Sequence, residues 1–399
     1  MKNIIPILKS NILLVILYIG LFFVSTGASY AIFSSSAAGG DGTLLSPNSK
    51  ISPSKRAHFK VDPKIPRDQV CPLDGMKYTK KEKDVWEKRR PLAVMVENSE
   101  DARPQSSLSR ADIIYEALAE GWITRFMAVF YCNTPFENMP IAPVRSARTY
   151  FIDWVSEYDG LYTHVGGANT LGDNADKTDP RADALGQIDR YGIKDMDEFG
   201  ISFPDCYRNP DRLDHPVATE HQMVCFSENL YKIAEKRNWT NVDEEGEPWD
   251  KNFTPWKFKE DASKGDLGDV KTINITFSPG YEKYSVKWQF DKESDSYKRF
   301  TGGVPHLDRE DNEQLLVKNV VVQLTKLLGP VDDNGHFLYT TIGSGKAVIF
   351  QDGKAIVGTW NKPSRTARTK FFSQDGSEIE FNRGPIWVEV LQDSNYLTY

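Results

Sequence analysis

The sequence predicts an α/β or α+β N-terminal domain followed by a mostly antiparallel β C-terminal domain, behind an N-terminal apolar helix. Before residue 240, apolar runs of strand length such as LAVMV (92–96) are interspersed with amphipathic helical patterns. After residue 270 the pattern changes to alternation punctuated by Asp-Gly turns. The length of 399 residues is appropriate for two domains. The apolar helix is indicated by the 22-residue stretch Ile12–Phe33, which is about the length needed to cross a membrane.

The N-terminal stretch is compatible with two interpretations. Lys2 and Lys9 are its only charges, so it resembles a secretory signal with a cleavage site near Ala31. The rival interpretation, an uncleaved signal anchor over residues 1–33, is favoured because the apolar stretch continues to Phe33. Both place the rest of the chain outside the cytoplasm, and the anchor makes the membrane a partner.

The remaining boundaries follow from shifts in composition. Ser, Gly, Pro and Lys dominate the start of residues 34–70, which are predicted to be a flexible linker. An acidic segment rich in Pro and Gly, residues 241–269, is predicted to connect the domains. The first domain is then 71–240 and the second is 270–395.

Each element of the first domain has a local signal. KKEKDVWEKRR (80–90), TYFIDWVSEYD (149–159) and SENLYKIAEKRN (227–238) are predicted helices. LAVMV, ITRFMAVFYC (123–132) and LYTHV (161–165) are predicted strands. A short helix is expected to open at Ser106–Ser109, before ADIIYEAL (111–118).

The second domain is predicted to be built of hairpins. YSVKWQF (284–290) and SYKRFTGG (296–303) flank a charged turn, and GKAVIFQDGKAIVGTW (345–360) holds two strands around Asp352-Gly353.

Charge and motifs exclude several function classes. The net charge is −7 and no dense basic run occurs, so no nucleic-acid partner is predicted. The sequence holds no P-loop, dinucleotide fingerprint or HExxH motif, so no cofactor is predicted. Close Cys/His spacing is absent, so no metal site is predicted. Export permits disulfides, and Cys71 with Cys132 is the favoured pair, with free buried thiols as the alternative.

EALAEGWITR (116–125) holds Glu116, Glu120 and Arg125. Two carboxylates four residues apart are expected either to share a helix face or to be aimed into one cleft by the break at Gly121, where they would act as an acid and its conjugate base. The alternative is an ion pair in which Arg125 holds a glutamate in place.

APVRSART (142–149) holds Arg145, Ser146 and Arg148 just before a predicted helix. The planar guanidinium binds carboxylate or phosphate through two parallel hydrogen bonds, so an anionic ligand is predicted here. The alternative is that both arginines pair internally with Glu116, Asp153 or Asp183.

His164, Gly166 and Gly167 end an apolar strand, where glycines allow close backbone approach to a ligand. His221 lies in HPVATEH (215–221) beside Glu220, which is placed to orient its ring. For both histidines the alternative is a buried, hydrogen-bonded structural role.

Four segments, in order, resemble the YerB-like lipoprotein family: ARPQSSLSRADIIYEALAEGWITRF (102–126), APVRSAR (142–148), YTHVGG (162–167) and TEHQMVCFSENL (219–230). The resemblance continues into NVVVQ (319–323), GSGKAVIFQDGKAIVGTW (343–360) and GPIWVEV (384–390), and it extends over roughly residues 91–390. It implies an extracytoplasmic two-domain protein tethered to the bacterial envelope, with no settled activity. The residues that match the family pattern are Arg103, Glu116, Glu120, Arg125, Arg145, Ser146, Arg148, His164, Gly166, Gly167 and His221. The lipid-accepting cysteine of the family is absent from this sequence.

Three hypotheses about function follow. The leading one is a binding or assembly module in which the group Arg103, Arg125, Arg145, Ser146, Arg148, Gly166 and Gly167 engages an anionic cell-envelope polymer or an envelope protein. The second is an envelope hydrolase with Glu116 or Glu120 as acid/base and His164 or His221 assisting. The third is a structural spacer in which every polar group has an internal partner.

Overall fold

A computed structural model describes residues 65–133 and 138–399. In chain order its strands are β1 (Gln69–Val70), β2 (Lys77–Tyr78), β3 (Leu92–Glu97), β4 (Ile113–Leu118), β5 (Thr124–Phe130), β6 (Pro140–Ile141), β7 (Leu161–His164), β8 (Lys194–Asp197), β9 (Cys206–Arg208), β10 (Met223–Phe226), β11 (Lys257–Lys259), β12 (Thr272–Ile275), β13 (Val286–Asp291), β14 (Ser296–Thr301), β15 (Val304–Pro305), β16 (Leu316–Val317), β17 (Asn319–Leu324), β18 (Leu327–Leu328), β19 (Leu338–Tyr339), β20 (Gly343–Gln351), β21 (Lys354–Lys362), β22 (Lys370–Ser373), β23 (Glu380–Asn382), β24 (Ile386–Leu391) and β25 (Leu397–Thr398).

The α-helices of the described residues are α1 (Lys80–Trp86), α2 (Thr149–Val155), α3 (Ala184–Tyr191) and α4 (Ser227–Lys236). The fold is therefore one of mixed sheets with few helices. Within residues 65–133 and 138–399, no helix has the length and apolar character needed to cross a membrane. The predicted signal or anchor, residues 1–33, and most of the predicted linker lie outside the described residues.

A ten-stranded mixed sheet is the centre of the fold. Its strand order is β22-β21-β20-β17-β24-β4-β5-β3-β7-β8. Five of these strands come from the first predicted domain and five from the second. They meet where β24 pairs in parallel with β4, with Ile386 opposite Ile113 and Glu389 opposite Glu116. The sheet thus crosses the predicted domain boundary.

Both faces of this sheet are covered, which explains the continuous apolar runs. Along β3, Val94 and Val96 pack into one hydrophobic core, while Ala93 and Met95 pack into another. Successive side chains of a strand point to opposite faces, so in a strand that is buried on both faces every side chain packs into a core and is apolar. LAVMV is such a strand, as the sequence predicts.

The second half is rich in antiparallel hairpins, as expected. β12, β13 and β14 pair in antiparallel order within a six-stranded sheet. β20 and β21 form the predicted hairpin, with Gln351 opposite Lys354 across the turn. Two pairs in this half run parallel instead, β17 with β24 and β11 with β23.

The predicted helices at 80–90, 149–159 and 227–238 are confirmed from their first residues, and the α-helices end at Trp86, Val155 and Lys236. One of the two arrangements expected for Glu116 and Glu120 is wrong. Glu116 lies in strand β4, and Glu120 opens a single 3₁₀ turn, Glu120–Trp122, so the two do not share a helix face. The isoleucines of ADIIYEAL favour a strand, and the antiparallel partner β5 completes its hydrogen bonds.

Two disulfides are present. Cys71 is bonded to Cys132, the pairing that the sequence analysis favours, and both residues are fully buried. The second disulfide, Cys206 with Cys225, was not predicted and joins the neighbouring strands β9 and β10.

The predicted connecting segment, residues 241–269, packs against the sheet. Trp249 and Trp256 are buried, and β11 pairs in parallel with β23. The domain limits given above remain a prediction.

Candidate functional site

The candidate site lies at one edge of the ten-stranded sheet. β3, β7 and β8 run parallel to one another, and β4, β24 and β17 do the same. β5 lies between β3 and β4 and pairs antiparallel with both. The two groups of three strands therefore run in the same direction, and β5 runs in the opposite one. Their carboxyl ends therefore meet at a single edge, which is where open α/β sheets bind ligands.

The segment that carries Arg145, Ser146 and Arg148 is inserted between the ends of β3 and β7. The backbone amide of Arg145 donates to Met95 O at 2.9 Å, and its carbonyl accepts from the amide of Val165 at 3.1 Å. Further along, the amide of Ala147 donates to Gly166 O at 2.9 Å. Both flanking strands thus fix this segment through the backbone, independently of its side chains.

Glu120 joins two of the predicted arginines. Arg148 holds its carboxylate in a two-pronged contact through Nε and a terminal nitrogen, and a terminal nitrogen of Arg125 lies 3.6 Å from Oε2. Burial acts to raise the pKa of Glu120, but the charges of Arg148 and Arg125 outweigh it and bring this pKa to about 2. A carboxylate this acidic is a fixed anion at neutral pH and a poor proton donor. Arg125 also donates to the carbonyl of Ser146 at 3.1 Å.

Burial, and then the charge of Arg148, lower the pKa of Arg125 to about 10. For Arg148, burial acts to lower the pKa, and the charge of Glu120 more than offsets this, so that pKa is raised. Both guanidinium groups remain charged at neutral pH. Their side chains are each 10% exposed, so both groups are largely buried.

A second cluster surrounds Glu97, at the end of β3. Arg145 Nε lies 3.3 Å from one carboxylate oxygen, and His221 Nδ1 lies 2.8 Å from the other. Arg145 is the most accessible of the three arginines, with 28% of its side chain exposed. Glu97 was not predicted as a site residue, although its position at the end of a buried strand is a signal that would have found it.

A hairpin from the second half of the chain reaches the same edge. β18 and β19 enclose a loop in which His336 Nδ1 lies 2.7 Å from Asp332 Oδ2. His336 Nε2 lies 4.0 Å from Glu120 Oε1. The tip of this loop contacts the first half, where the amide of Asp179 donates to Asp332 at 2.9 Å. Sequence reasoning missed His336 because the surrounding DNGHFLY (333–339) carries an Asn-Gly turn signal and no pattern typical of a site.

His164 is part of the scaffold beneath the site. It is fully buried, with Nδ1 2.8 Å from Gly166 O and Nε2 2.9 Å from Asp195 Oδ1. Gly166 has φ of +55°, and a β-carbon there would lie 3.1 Å from the ring of Phe199. The glycine is thus explained by the turn and by this close approach.

Glu116 lies in the interior, apart from the arginine cluster. It is fully buried, and it accepts from Arg299 at 2.5 Å, from Thr124 at 2.7 Å and from the Trp387 indole at 3.1 Å. Its strand neighbour Ala117 pairs with Arg125, which pairs with Glu97. Because side chains alternate along a strand, Glu116 and Glu97 point to opposite faces of the sheet.

This geometry weighs against the predicted Glu/His catalytic pairs. His221 contacts Glu97, and His164 contacts Asp195, so neither histidine is paired with Glu116 or Glu120. The candidate acid and base groups do not converge on one reacting position.

Arg103 lies apart from the other arginines. It donates to Asn98 through two nitrogens at 3.0 Å and to Lys283 O at 2.9 Å. Its guanidinium is therefore engaged internally, in a contact between the two halves of the chain.

The structure offers little for a metal ion within the residues it describes. The group whose donor atoms lie close together there is Cys71, Asp112 and Cys132, and its two sulfurs are already bonded to each other.

Comparison with known proteins adds the family context. Two family descriptions match, "Protein of unknown function (DUF3048) N-terminal domain" over residues 75–240 and "Protein of unknown function (DUF3048) C-terminal domain" over residues 273–388. A relative from Bacillus subtilis (strain 168), "Putative lipoprotein YerB", is 28% identical over 325 residues, covering 81% of this chain and 86% of the relative. The crystal structure of YerB protein from Bacillus subtilis superposes with a TM-score of 0.66 at 26% identity, covering 83% of this chain and 99% of that one.

Proposed function

Since the chain belongs to the two-domain DUF3048 family and is similar to the "Putative lipoprotein YerB" of Bacillus subtilis, we propose that it is an envelope-associated binding protein. Its ligand is an anionic envelope polymer, and its site is the arginine cluster at the carboxyl edge of the sheet. We name this cluster, consisting of Arg125, Arg145 and Arg148 with Glu97 and Glu120, the arginine site.

The observation that carries the proposal is an excess of positive charge. Three guanidinium groups share two carboxylates, so one unit of positive charge is not neutralised by the ion pairs within the cluster. The chain as a whole has a net charge of −7, so this local sign is the reverse of the average. A partly desolvated excess cation attracts an anion more strongly than an exposed one does.

Preorganisation supports the same conclusion. Arg148 is clamped by Glu120, and Arg125 is tied to the carbonyl of Ser146, so neither needs to be ordered on binding. Side chains that are already fixed lose little entropy when a ligand arrives. Arg145, the more accessible group, is the first contact for an incoming phosphate or carboxylate.

The test is retention of the purified chain on isolated wall polymers. Arg145→Gln removes the accessible charge while His221 still contacts Glu97, and Arg148→Lys keeps a charge but loses the two-pronged geometry. We expect each variant to bind the polymer at least tenfold more weakly than wild type does. We also expect added salt to weaken the binding of wild type, because screening weakens charge pairs.

Arg181→Gln is the matched control, because Arg181 is an exposed arginine in a surface pair with Asp179. It should bind like wild type. Unchanged retention of both site variants, with native circular dichroism, would remove the proposal.

A further inference from the structure

A second groove opens on the same edge of the sheet, beyond the end of β17. It has a volume of about 530 Å³, and Lys326, Lys346, Trp360 and Asp393 are among its lining residues. Its floor is fixed by two hydrogen bonds: the Trp360 indole donates to Leu324 O at 2.8 Å, and the amide of Thr325 donates to Leu391 O at 2.8 Å.

The two lysines of this groove are exposed and point to no carboxylate. Within the part of the chain that the structure describes, neither ammonium group makes a hydrogen bond or an ion pair. Asp393 is the acidic residue that lines the groove, and its carboxylate accepts from the amide of Asn395 at 2.9 Å. Two lysines against one aspartate again leave positive charge in excess.

The groove and the arginine site lie at the same edge of the ten-stranded sheet, a few strands apart. Leu324 pairs with Leu391 at the ends of β17 and β24, and β24 is followed in the sheet by β4 and β5. Neighbouring strands lie about 4.8 Å apart, so the end of β17 and the start of β5 are separated by about 14 Å. Arg125 lies near the start of β5, at this edge.

One element connects the two places directly. Lys326 lies between β17 and β18, and the hairpin that follows it carries His336 to within 4.0 Å of Glu120. The hairpin also packs at the end of β4, where Tyr339 Oη accepts from the amide of Leu118 at 3.1 Å. This hairpin therefore begins beside the lysine groove and reaches the arginine site at the same edge of the sheet.

We propose that Lys326 and Lys346 form a second anion subsite, and that a linear phosphodiester polymer spans this groove and the arginine site. The inference rests on the proposed function and specifies its ligand class. Lysine binds phosphate as a point charge, while arginine binds it through its planar fork, so the two subsites suit two phosphates of one chain that are not adjacent to each other. Occupying both raises affinity by effective concentration, without any new kind of contact.

The test compares two probes on the full chain: glycerol phosphate, which reaches one subsite, and a glycerol-phosphate oligomer of about ten units, which spans both. Wild type should bind the oligomer at least tenfold more tightly than the monomer, counted per phosphate. The double variant Lys326→Ala/Lys346→Ala should lose that advantage while its affinity for the monomer stays near that of wild type.

The control is Lys271→Ala/Lys354→Ala. These lysines are also exposed and line a groove, of about 1100 Å³, at the opposite edge of the sheet beyond the Asp352-Gly353 turn. This pair should bind both probes like wild type.

The outcomes separate the two proposals. If the oligomer advantage persists in Lys326→Ala/Lys346→Ala, or falls equally in the control, the second subsite is wrong while the arginine site stands. If Arg145→Gln binds both probes like wild type, or if wild type binds neither, the proposed function fails and the subsite with it. An oligogalacturonate of equal length that binds as tightly as the phosphodiester would overturn the assignment of ligand class.

Discussion

At the scale of single residues, four glutamates fall into two chemically different groups, one at the edge of the sheet and one in its interior. Glu97 and Glu120, at the edge, are each paired with arginine; the Glu97 side chain is 7% exposed and that of Glu120 is 20% exposed. Glu116 and Glu389 lie opposite each other in the interior, both fully buried. Burial first, and then the charge of Glu116, raise the pKa of Glu389 well above its usual range. Glu389 therefore keeps its proton to a higher pH than an exposed glutamate does, whereas the low pKa of Glu120 keeps that edge carboxylate ionised at neutral pH.

This buried acid predicts a pH dependence of stability. Glu389 has a higher pKa folded than unfolded, so its contribution is fully present below the unfolded pKa and is lost as pH rises toward the folded pKa. The loss is at most about 1.4 kcal/mol per pH unit. We expect Glu389→Gln, which keeps an acceptor for the Trp288 indole, to flatten the slope of unfolding free energy between about pH 5 and 8.

Urea denaturation at several pH values measures that slope. Glu380→Gln, at an exposed position on β23, serves as the control and should retain the wild-type slope. Identical slopes in wild type and Glu389→Gln would contradict a protonated Glu389 in the interior.

How much of the site the sequence predicts depends on the residue. Arg145 and Arg148 are separated by two positions and share a loop, so their proximity is a local property. Glu97 and His336 come from distant parts of the chain, and only the strand order brings them to the same edge. His164 is the opposite case. Its position at the end of a strand predicts a ligand site, but Asp195 and Gly166 are hydrogen-bond partners of both ring nitrogens.

At the scale of elements, local sequence determines the hairpins well. In the β20–β21 turn, Asp352 and Gly353 have φ of +53° and +67°, the left-handed pair that the Asp-Gly dipeptide favours. The parallel pairing of β24 with β4 has no comparable local signal, because about 270 residues separate the two strands. This is why strands were predicted and their order was not.

The turn supplies a prediction. At Gly353 a β-carbon would lie 2.5 Å from the Phe290 ring and 2.9 Å from Gly268 O, while at Gly376, with φ of +83°, it would meet nothing within 4 Å. Gly353→Ala should therefore cost about 2 kcal/mol or more of unfolding free energy, and Gly376→Ala about 1 kcal/mol. Equal losses in thermal or urea denaturation would show that the contact with Phe290 and Gly268 does not matter.

At the scale of the whole molecule, the two halves share one sheet and one buried network. Glu116 of the first half is neutralised by Arg299 and bonded to Trp387, both from the second half. The same halves meet at the site edge, where His336 approaches Glu120. Composition suggested two domains joined by a linker, but the free energy of each half depends on the other.

This dependence predicts the behaviour of fragments. Residues 65–240 expressed alone would expose the edge of β4 and leave Glu116 buried without its cation, which typically costs several kcal/mol. We expect neither this fragment nor residues 241–399 to unfold cooperatively alone, and a mixture of the two to recover native circular dichroism. A dispersed NMR spectrum and a wild-type melting temperature for the first fragment would contradict the dependence of each half on the other.

The most direct test of the central claim is the salt dependence of binding to a glycerol-phosphate polymer, measured by calorimetry on wild type and Arg145→Gln. We expect the affinity of wild type to fall steeply as salt rises, because charge pairs are screened, and that of Arg145→Gln to be lower and to fall less steeply. Binding that is insensitive to salt, or equal slopes for the two proteins, would show that the arginine site does not hold the anion.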